Sequence, residues 1–331
     1  MLALQFDRCG PPTEVLRLVD CPDRSLRPGE LRIRMHAAPI NPSDLLYIAG
    51  NYPLPAQPPC IAGFEGVGTV IESGGGFLAR WRKGQRVVVL SPEGTWCQHA
   101  IAPALRVIPV PETLRDEQAA TFFVNPMTAL VMIERVLRLR RGQWLVQSAA
   151  NSVLGKMIIR LCRSRGIHTL NLVRRSASIP ELLEIGADAV LPLDAAGGEA
   201  AIPDLVRQQT KGIGAAAGID AVGGTLASTL LESLAPRGRL LVYGLLSGQP
   251  IAFNPRLLMT QGKQIEGFWL AEWFQRHSPL TMLGLIRQVT RGILAGTLAT
   301  PVAATYPLDD YSAAIAHAQQ SDRAGKILFR F

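Results

Sequence analysis

Short runs in which apolar and polar residues alternate recur through the first third of the chain: Leu31-Arg-Ile-Arg-Met35, Gly66-Val-Gly-Thr-Val-Ile71 and Arg86-Val-Val-Val-Leu90. Alternation of this kind is the period of a half-buried strand, and each run is bounded by Gly, Pro, Asn or Ser. Pro-Gly-Glu at 28–30 and Lys-Gly-Gln at 83–85 read as turns ahead of strands. Proline is dense from Pro53 to Pro59, so that stretch reads as a loop. From Asp116 to Leu139 the apolar residues fall at helical spacing, interrupted at Asn125-Pro126.

Beyond this point strand and helix patterns alternate. Trp144-Leu-Val-Gln, Thr169 to Val173, Ala189 to Leu191, Gly218 to Val222 and Arg239 to Tyr243 read as strands. Gly155 to Arg165, Ile179 to Ile185, Leu205 to Gln209 and Leu226 to Leu234 read as helices. Short links between alternating strands and helices predict a parallel, doubly wound α/β sheet over about 120 residues, the size of a dinucleotide-binding domain. The tail predicts helices at Pro279 to Leu294 and Tyr311 to Gln319, and a closing strand from Lys326. The simplest organisation is a β-rich domain over 1–123 and 266–331 with the nucleotide domain, 124–265, inserted in it.

Composition narrows the class. Of 331 residues, 48% are hydrophobic and 18% charged, enough apolar material for two cores and too much for a disordered chain. The formal net charge is +8, and only five of the 34 basic residues are Lys. Such an excess of Arg fits nucleic acid, an anionic lipid or a phosphorylated small molecule as partner, or equally a basic surface with no partner. No block of like charge forms a nucleic-acid tail, and the aromatics, 6%, do not interleave with Arg, so nucleic acid is not expected as a partner. The five cysteines are scattered and include no C-x-x-C pair, which argues against a disulfide framework and a thiolate zinc site. The first residues lack a secretory pattern, and no apolar run approaches the ~20 residues of a membrane span. These features predict a cytoplasmic protein with no membrane partner.

Four stretches carry candidate chemistry. Gln147-Ser-Ala-Ala-Asn-Ser-Val-Leu-Gly155 supplies the small residues that let a pyrophosphate approach a helix N-terminus, although only the last Gly of G-x-G-x-x-G is present. An ordinary capped helix start would look similar. Arg174-Arg175 closes a strand about twenty residues further on, where an acid would bind the ribose of NAD; two guanidinium groups there suit a 2′-phosphate and hence NADPH, or form a solvated pair. Tyr52, on the Pro-bounded loop, keeps its proton at neutral pH and is a candidate donor, or a packing residue. Gly267-Phe-Trp-Leu-Ala-Glu-Trp273 gathers aromatics that would floor a ligand pocket or fill a core.

Ile40-Asn-Pro-Ser-Asp44, Gly50-Asn-Tyr-Pro53, Val124-Asn-Pro126 with Thr128-Ala129, Ala150-Asn-Ser152 and Gly267-Phe-Trp-Leu270 with Trp273 together resemble the zinc-free branch of the medium-chain dehydrogenase/reductase superfamily. The resemblance is strongest to the 2-enoyl thioester reductases and runs over the whole chain. It implies a Rossmann domain inserted in a β-rich, GroES-like catalytic domain. Zinc-dependent relatives carry Gly-His-Glu where this chain has Gly63-Phe64-Glu65, and a ligating Cys near Asn41; no other Cys/His cluster replaces them.

By this resemblance Tyr52 is the catalytic proton donor. Asn125 lies near the nicotinamide and its ribose. Asn151, Ser152, Val153 and Leu154 form the phosphate turn, and Arg174 and Arg175 the 2′-phosphate site. Tyr243, Gly244, Leu245 and Leu246, then Phe268, Trp269, Leu270 and Ala271, and finally Lys326, belong to segments that close over the cofactor. Two positions depart from the family: Val153 replaces a Gly of the phosphate turn, and Leu245 replaces a second Gly. The region after Arg175 lacks the usual acid.

The implied activity is NADPH-dependent reduction of the C2=C3 bond of trans-2-enoyl-CoA or enoyl-acyl-carrier-protein, with hydride to Cβ and a proton to Cα. A zinc-independent NADPH:quinone or enone oxidoreductase is the alternative, and a non-catalytic NADPH-binding protein is a reading of another class. Relatives imply a homodimer in which nucleotide-domain strands pair, here the segment from Leu231 to Leu246.

Overall fold

The amino-terminal strand β1 (Leu2–Phe6) turns through α1 (Pro12–Val15) and pairs antiparallel with β2 (Leu16–Asp20). β3 (Glu30–Pro39), α2 (Pro42–Ile48), β4 (Cys60–Ile61), β5 (Glu65–Ser73), α3 (Phe77–Arg82), β6 (Arg86–Leu90), β7 (His99–Pro103), β8 (Val107–Pro109) and α4 (Asp116–Ala120) follow. The coordinates are a computed structural model that describes residues 1–91, 93–195, 197–320 and 323–331. The alternation in the sequence has a direct outcome here. Leu31, Ile33 and Met35 of β3 enter one core with Val87 and Val89 of β6, while Arg34 faces outward.

The expected break at Asn125-Pro126 falls earlier. α5 (Val124–Leu130) begins before Pro126, which sits in the first helical turn where its missing N–H leaves no bond unmade. The helix continues as a wider turn over Val131–Val136. Then come β9 (Trp144–Gln147), α6 (Val153–Arg165), β10 (His168–Val173), α7 (Ile179–Glu184), β11 (Ala189–Pro192), α8 (Ile202–Gln209), β12 (Ala215–Asp220), α9 (Gly224–Ser233), β13 (Leu234–Val242), α10 (Arg256–Met259), β14 (Gln264–Gly267), α11 (Leu270–Gln275) and α12 (Pro279–Leu294). The six strands are parallel and ordered β11-β10-β9-β12-β13-β14. This is the doubly wound dinucleotide-binding order, reversing between β9 and β12.

β13 bonds on one side to β12 and on the other to β14. Arg239–Val242, inside the segment from Leu231 to Leu246, is thus paired on both sides, and the outer strand on that side is β14.

β15 (Val302–Pro307), α13 (Tyr311–Gln319) and β16 (Lys326–Arg330) complete the chain. β16 pairs with β3, and Ile315 and Phe329 pack with Phe6 and Trp96. One unit comprises 1–124 and 300–331, the other 125–299. The chain thus returns at 300 rather than at the expected 266. β14 extends the parallel sheet, and Arg160 of α6 donates to the carbonyls of Thr297 and Ala299, which holds the segment after α12 to the nucleotide unit. Among the described residues no helix is long and apolar enough to cross a membrane.

Candidate active site

In the nucleotide unit the predicted cofactor residues follow the carboxyl ends of the strands. Asn151 to Leu154 follow β9, Arg174 and Arg175 follow β10, Tyr243 to Leu246 follow β13, and Phe268 to Ala271 follow β14. Parallel strands bring all of these to one edge of the sheet, where a doubly wound fold binds its ligands. Ser152 caps α6, its Oγ accepting the N–H of Gly155 at 3.0 Å. A Cβ on Gly155 would lie 2.6 Å from the carbonyl oxygen of Ala150, so only glycine lets the turn fold this tightly. Asn151 Oδ1 is buried and makes no hydrogen bond within the protein. A dinucleotide donor group fits that vacant acceptor, and the capped helix start presents amides to a pyrophosphate.

Arg174 and Arg175 are exposed. Beside them Ser176 donates both its N–H and its hydroxyl to Asp194, which holds that carboxyl below the usual carboxylate range, with Arg175 adding to the effect. Asp194, on the loop after β11, thus brings a carboxylate to this turn.

A network at the switch point escaped the sequence reading. Ser148 Oγ donates to Asp220 Oδ1 at 2.5 Å, and Asp220 also accepts the N–H groups of Val222 and Gly223. It ties the turn after β9 to the turn after β12. Its one sequence signal is an acid inside an otherwise apolar strand, Gly218-Ile-Asp-Ala-Val222. Tyr243 donates its N–H to the Asp220 carbonyl, and burial raises its hydroxyl pKa beside that carboxyl. Leu245 and Leu246 are exposed. Trp273 stacks on His277 at 3.7 Å and lines a surface hollow of about 730 Å³ with Arg138 and Arg165.

In the β-rich unit Tyr52 sits on the loop after α2. Its ring packs on Phe64 at 5.3 Å and edge-on to Tyr47 at 6.5 Å. The Tyr47 hydroxyl is pushed up to about 12, mainly by burial. The root of this loop is polar and buried. Asp44 accepts the N–H of Asn41 at 2.7 Å and that of Phe64 at 3.0 Å. Asn41 Nδ2 donates to Glu65 Oε1 at 3.0 Å, and Glu65 Oε2 accepts the N–H groups of Phe123 and Val124.

Lys326 is buried beside these two carboxyls, at 2% exposure. Burial lowers its ammonium to about 8, opposed by Glu65 and Asp44. Burial likewise raises Asp44 to about 7 and pushes Glu65 upward. The resemblance placed Lys326 among residues closing over the cofactor; the structure gives it carboxylate neighbours inside the β-rich unit. At the positions where zinc-dependent relatives hold metal, Asn41 is occupied with Glu65 and Phe64 with Tyr47 and Tyr52. Among the described residues no group of three or more His, Cys, Asp or Glu is placed to hold a metal ion.

Residues 27–112 match the alcohol dehydrogenase GroES-like domain family, and residues 153–287 the zinc-binding dehydrogenase family. The mitochondrial enoyl-[acyl-carrier-protein] reductase of Bos taurus is 32% identical over 318 residues, covering 95% of this chain and 84% of that one. The chain belongs to the zinc-free medium-chain dehydrogenase/reductase family. As a member of that family it is an oxidoreductase, and the family binds a nicotinamide cofactor. Another similar family member is a Bacillus thuringiensis structure described provisionally as an NADPH:quinone reductase. It superposes with a TM-score of 0.92 at 33% identity, covering 100% of this chain and 98% of that one. A mycobacterial protein solved in complex with NADPH superposes at 0.89 with 26% identity, covering 100% of both chains.

Proposed function

We propose that this medium-chain reductase reduces the C2=C3 bond of trans-2-enoyl thioesters, with NADPH as reductant and Tyr52 as proton donor. The observation that carries the proposal is the setting of Tyr52. Phe64 and Tyr47 hold its ring on a loop rooted in the buried Asn41–Asp44–Glu65 cluster, as orientation of a proton donor requires. Asn151, Ser152 and the amides at the start of α6 would hold the pyrophosphate, Arg174 and Arg175 the 2′-phosphate, and Asn125 the nicotinamide ribose. Tyr243 to Leu246 and Phe268 to Ala271 would flank the rest. When bound, NADPH supplies the hydride that adds to Cβ.

The chain's own part concerns the proton. Saturating Cβ leaves an electron pair on the thioester oxygen and Cα as an enolate. The Tyr52 hydroxyl gives its proton to Cα, and the phenolate recovers one from solvent. The substrate is carried by CoA or acyl carrier protein, the enzyme works as a homodimer, and we place it in the cytosol, where five free thiols persist.

The similarity to the Bacillus thuringiensis structure favours a second reading, reduction of quinones or small enones. That chemistry needs no donor at Tyr52. Oxidation of NADPH is measured with enoyl-CoA substrates of C4 to C16 chain length and with a 1,2-quinone, NADH serving as control. Turnover of enoyl-CoA well above that of the quinone supports the proposal, and the reverse order replaces it with the second reading.

A further inference from the structure

We propose that α3 and the turn beside it form a face that docks on an anionic lipid surface. Among the described large apolar side chains, the two most exposed are Phe77, at 89%, and Leu105, at 87%. They lie on neighbouring elements, since α3 packs against the short turn Ala104–Arg106. Trp81, at 59%, is one helical turn from Phe77 and lines a shallow groove of about 550 Å³ with Phe77, Arg80 and Gly76.

This face is rooted. Ala79 and Ala104 are buried, and Leu78 packs against the β3–β6 core. The exposed rings therefore belong to a fixed surface and do not come from a frayed end.

Charge selects the occupant. Arg80 shares the groove with the aromatic pair, half-buried Arg82 and exposed Lys83 follow Trp81 in the chain, and exposed Arg106 adjoins Leu105. No acid occurs in the sequence from 73 to 92 or from 94 to 111. The Arg82 guanidinium lies 4.7 Å over the Trp81 ring, which leaves a cation and an indole at the same level. Aromatic and leucine side chains ringed by Lys and Arg suit the headgroup–acyl boundary of an anionic bilayer. A second copy of the same face would bring like charges together. The contact is peripheral and needs no membrane span, so it departs from the sequence expectation of no membrane partner.

The test is sedimentation of the full chain with phosphatidylcholine vesicles, with and without phosphatidylglycerol. Retention on the phosphatidylglycerol vesicles alone is expected. Arg80→Gln and Lys83→Gln each lower the partition coefficient roughly fivefold, and the pair Phe77→Ser with Trp81→Ser abolishes retention. These side chains are exposed, so a matching thermal midpoint certifies each fold. In the unaltered protein, brominated lipid quenches indole fluorescence, and Trp81→Phe removes that quenching. Equal retention on both vesicle types, retention that survives the double serine change, or no retention overturns the proposal. A concentration-dependent dimer lost with the same changes overturns it in favour of a second copy.

Discussion

Glu65 accepts the backbone N–H of Val124 on Oε2 at 2.9 Å, and the N–H of Phe123 reaches the same oxygen at 3.1 Å. Its other oxygen takes the Asn41 side-chain amide. One carboxylate thus joins β5, the cap of the Tyr52-bearing α2 loop, and the residues just before Asn125. Removing it leaves three donors without an acceptor and Lys326 with Asp44 as its one remaining carboxyl neighbour among the described residues. Glu65→Ala is expected to cost about 3 kcal/mol of unfolding free energy in urea titration. Glu65→Gln costs less, because Asn41 Oδ1, which has no partner, can accept from the new amide.

Asp44 sets a pH dependence in the same cluster. Burial lifts its carboxyl from an ordinary 3.8 to about 7, Glu65 adds to the rise, and the amides of Asn41 and Phe64 and the Lys326 charge oppose it. A carboxyl that holds its proton more tightly folded than unfolded adds stability that is whole below about pH 4 and lost as pH rises through about 7. Unfolding free energy followed across that window is expected to fall in the unaltered protein and to lose most of this slope in Asp44→Asn.

Tyr52→Phe keeps the ring packing on Phe64 and removes the proton. Turnover of enoyl-CoA is expected to drop roughly 100-fold or more, while NADPH affinity, read by fluorescence titration, stays within about twofold. Unchanged turnover would remove Tyr52 from the role of donor.

Under the proposed function Arg174 and Arg175, both exposed, hold the 2′-phosphate of NADPH. Changing both to Gln is expected to weaken NADPH binding by roughly 100-fold or more, since each charged hydrogen bond contributes about 1.5–3 kcal/mol. NADH binding should be unchanged, and equal loss for both cofactors would show that the pair does not read the 2′-phosphate.

Gly244 crosses directly over Ala221, where an added Cβ would lie 2.6 Å from the Ala221 carbonyl oxygen. Gly244→Ala is expected to cost about 1–3 kcal/mol in urea unfolding and to shift the Tyr243–Leu246 segment. Leu245, which replaces the family's second Gly, is 62% exposed, so that departure is accommodated without a clash.

Much of the nucleotide unit was readable along the chain. Trp144–Gln147 and Pro279–Leu294 lie where their periodicity placed them, and Ser152 and Gly166 mark the ends of α6 as cap residues do. These are local signals, set by neighbours a few residues away. β1, β2, β7 and β15 were not identified, because they are short and their pattern is completed only by partners far along the chain. The return at 300 was hidden for a similar reason: whether the residues after 266 leave the parallel sheet depends on β13 offering β14 an edge.

The sequence by itself determined the element types, the family through its dispersed motifs, and the small-residue turn and arginine pair that suit a nucleotide. Each rests on local spacing or residue identity. Tertiary structure decided which charges meet. Asp44, Glu65 and Lys326 are far apart in sequence, yet β16 pairs with β3 and β5 lies on the other side of β3, which collects them in one buried place. Only the folded chain shows that Lys326 is buried near two carboxyls, that Asp194 reaches the arginine loop, and that Phe77, Trp81 and Leu105 face outward. Burial and through-space charge depend on strands brought side by side, and no spacing along the chain encodes them.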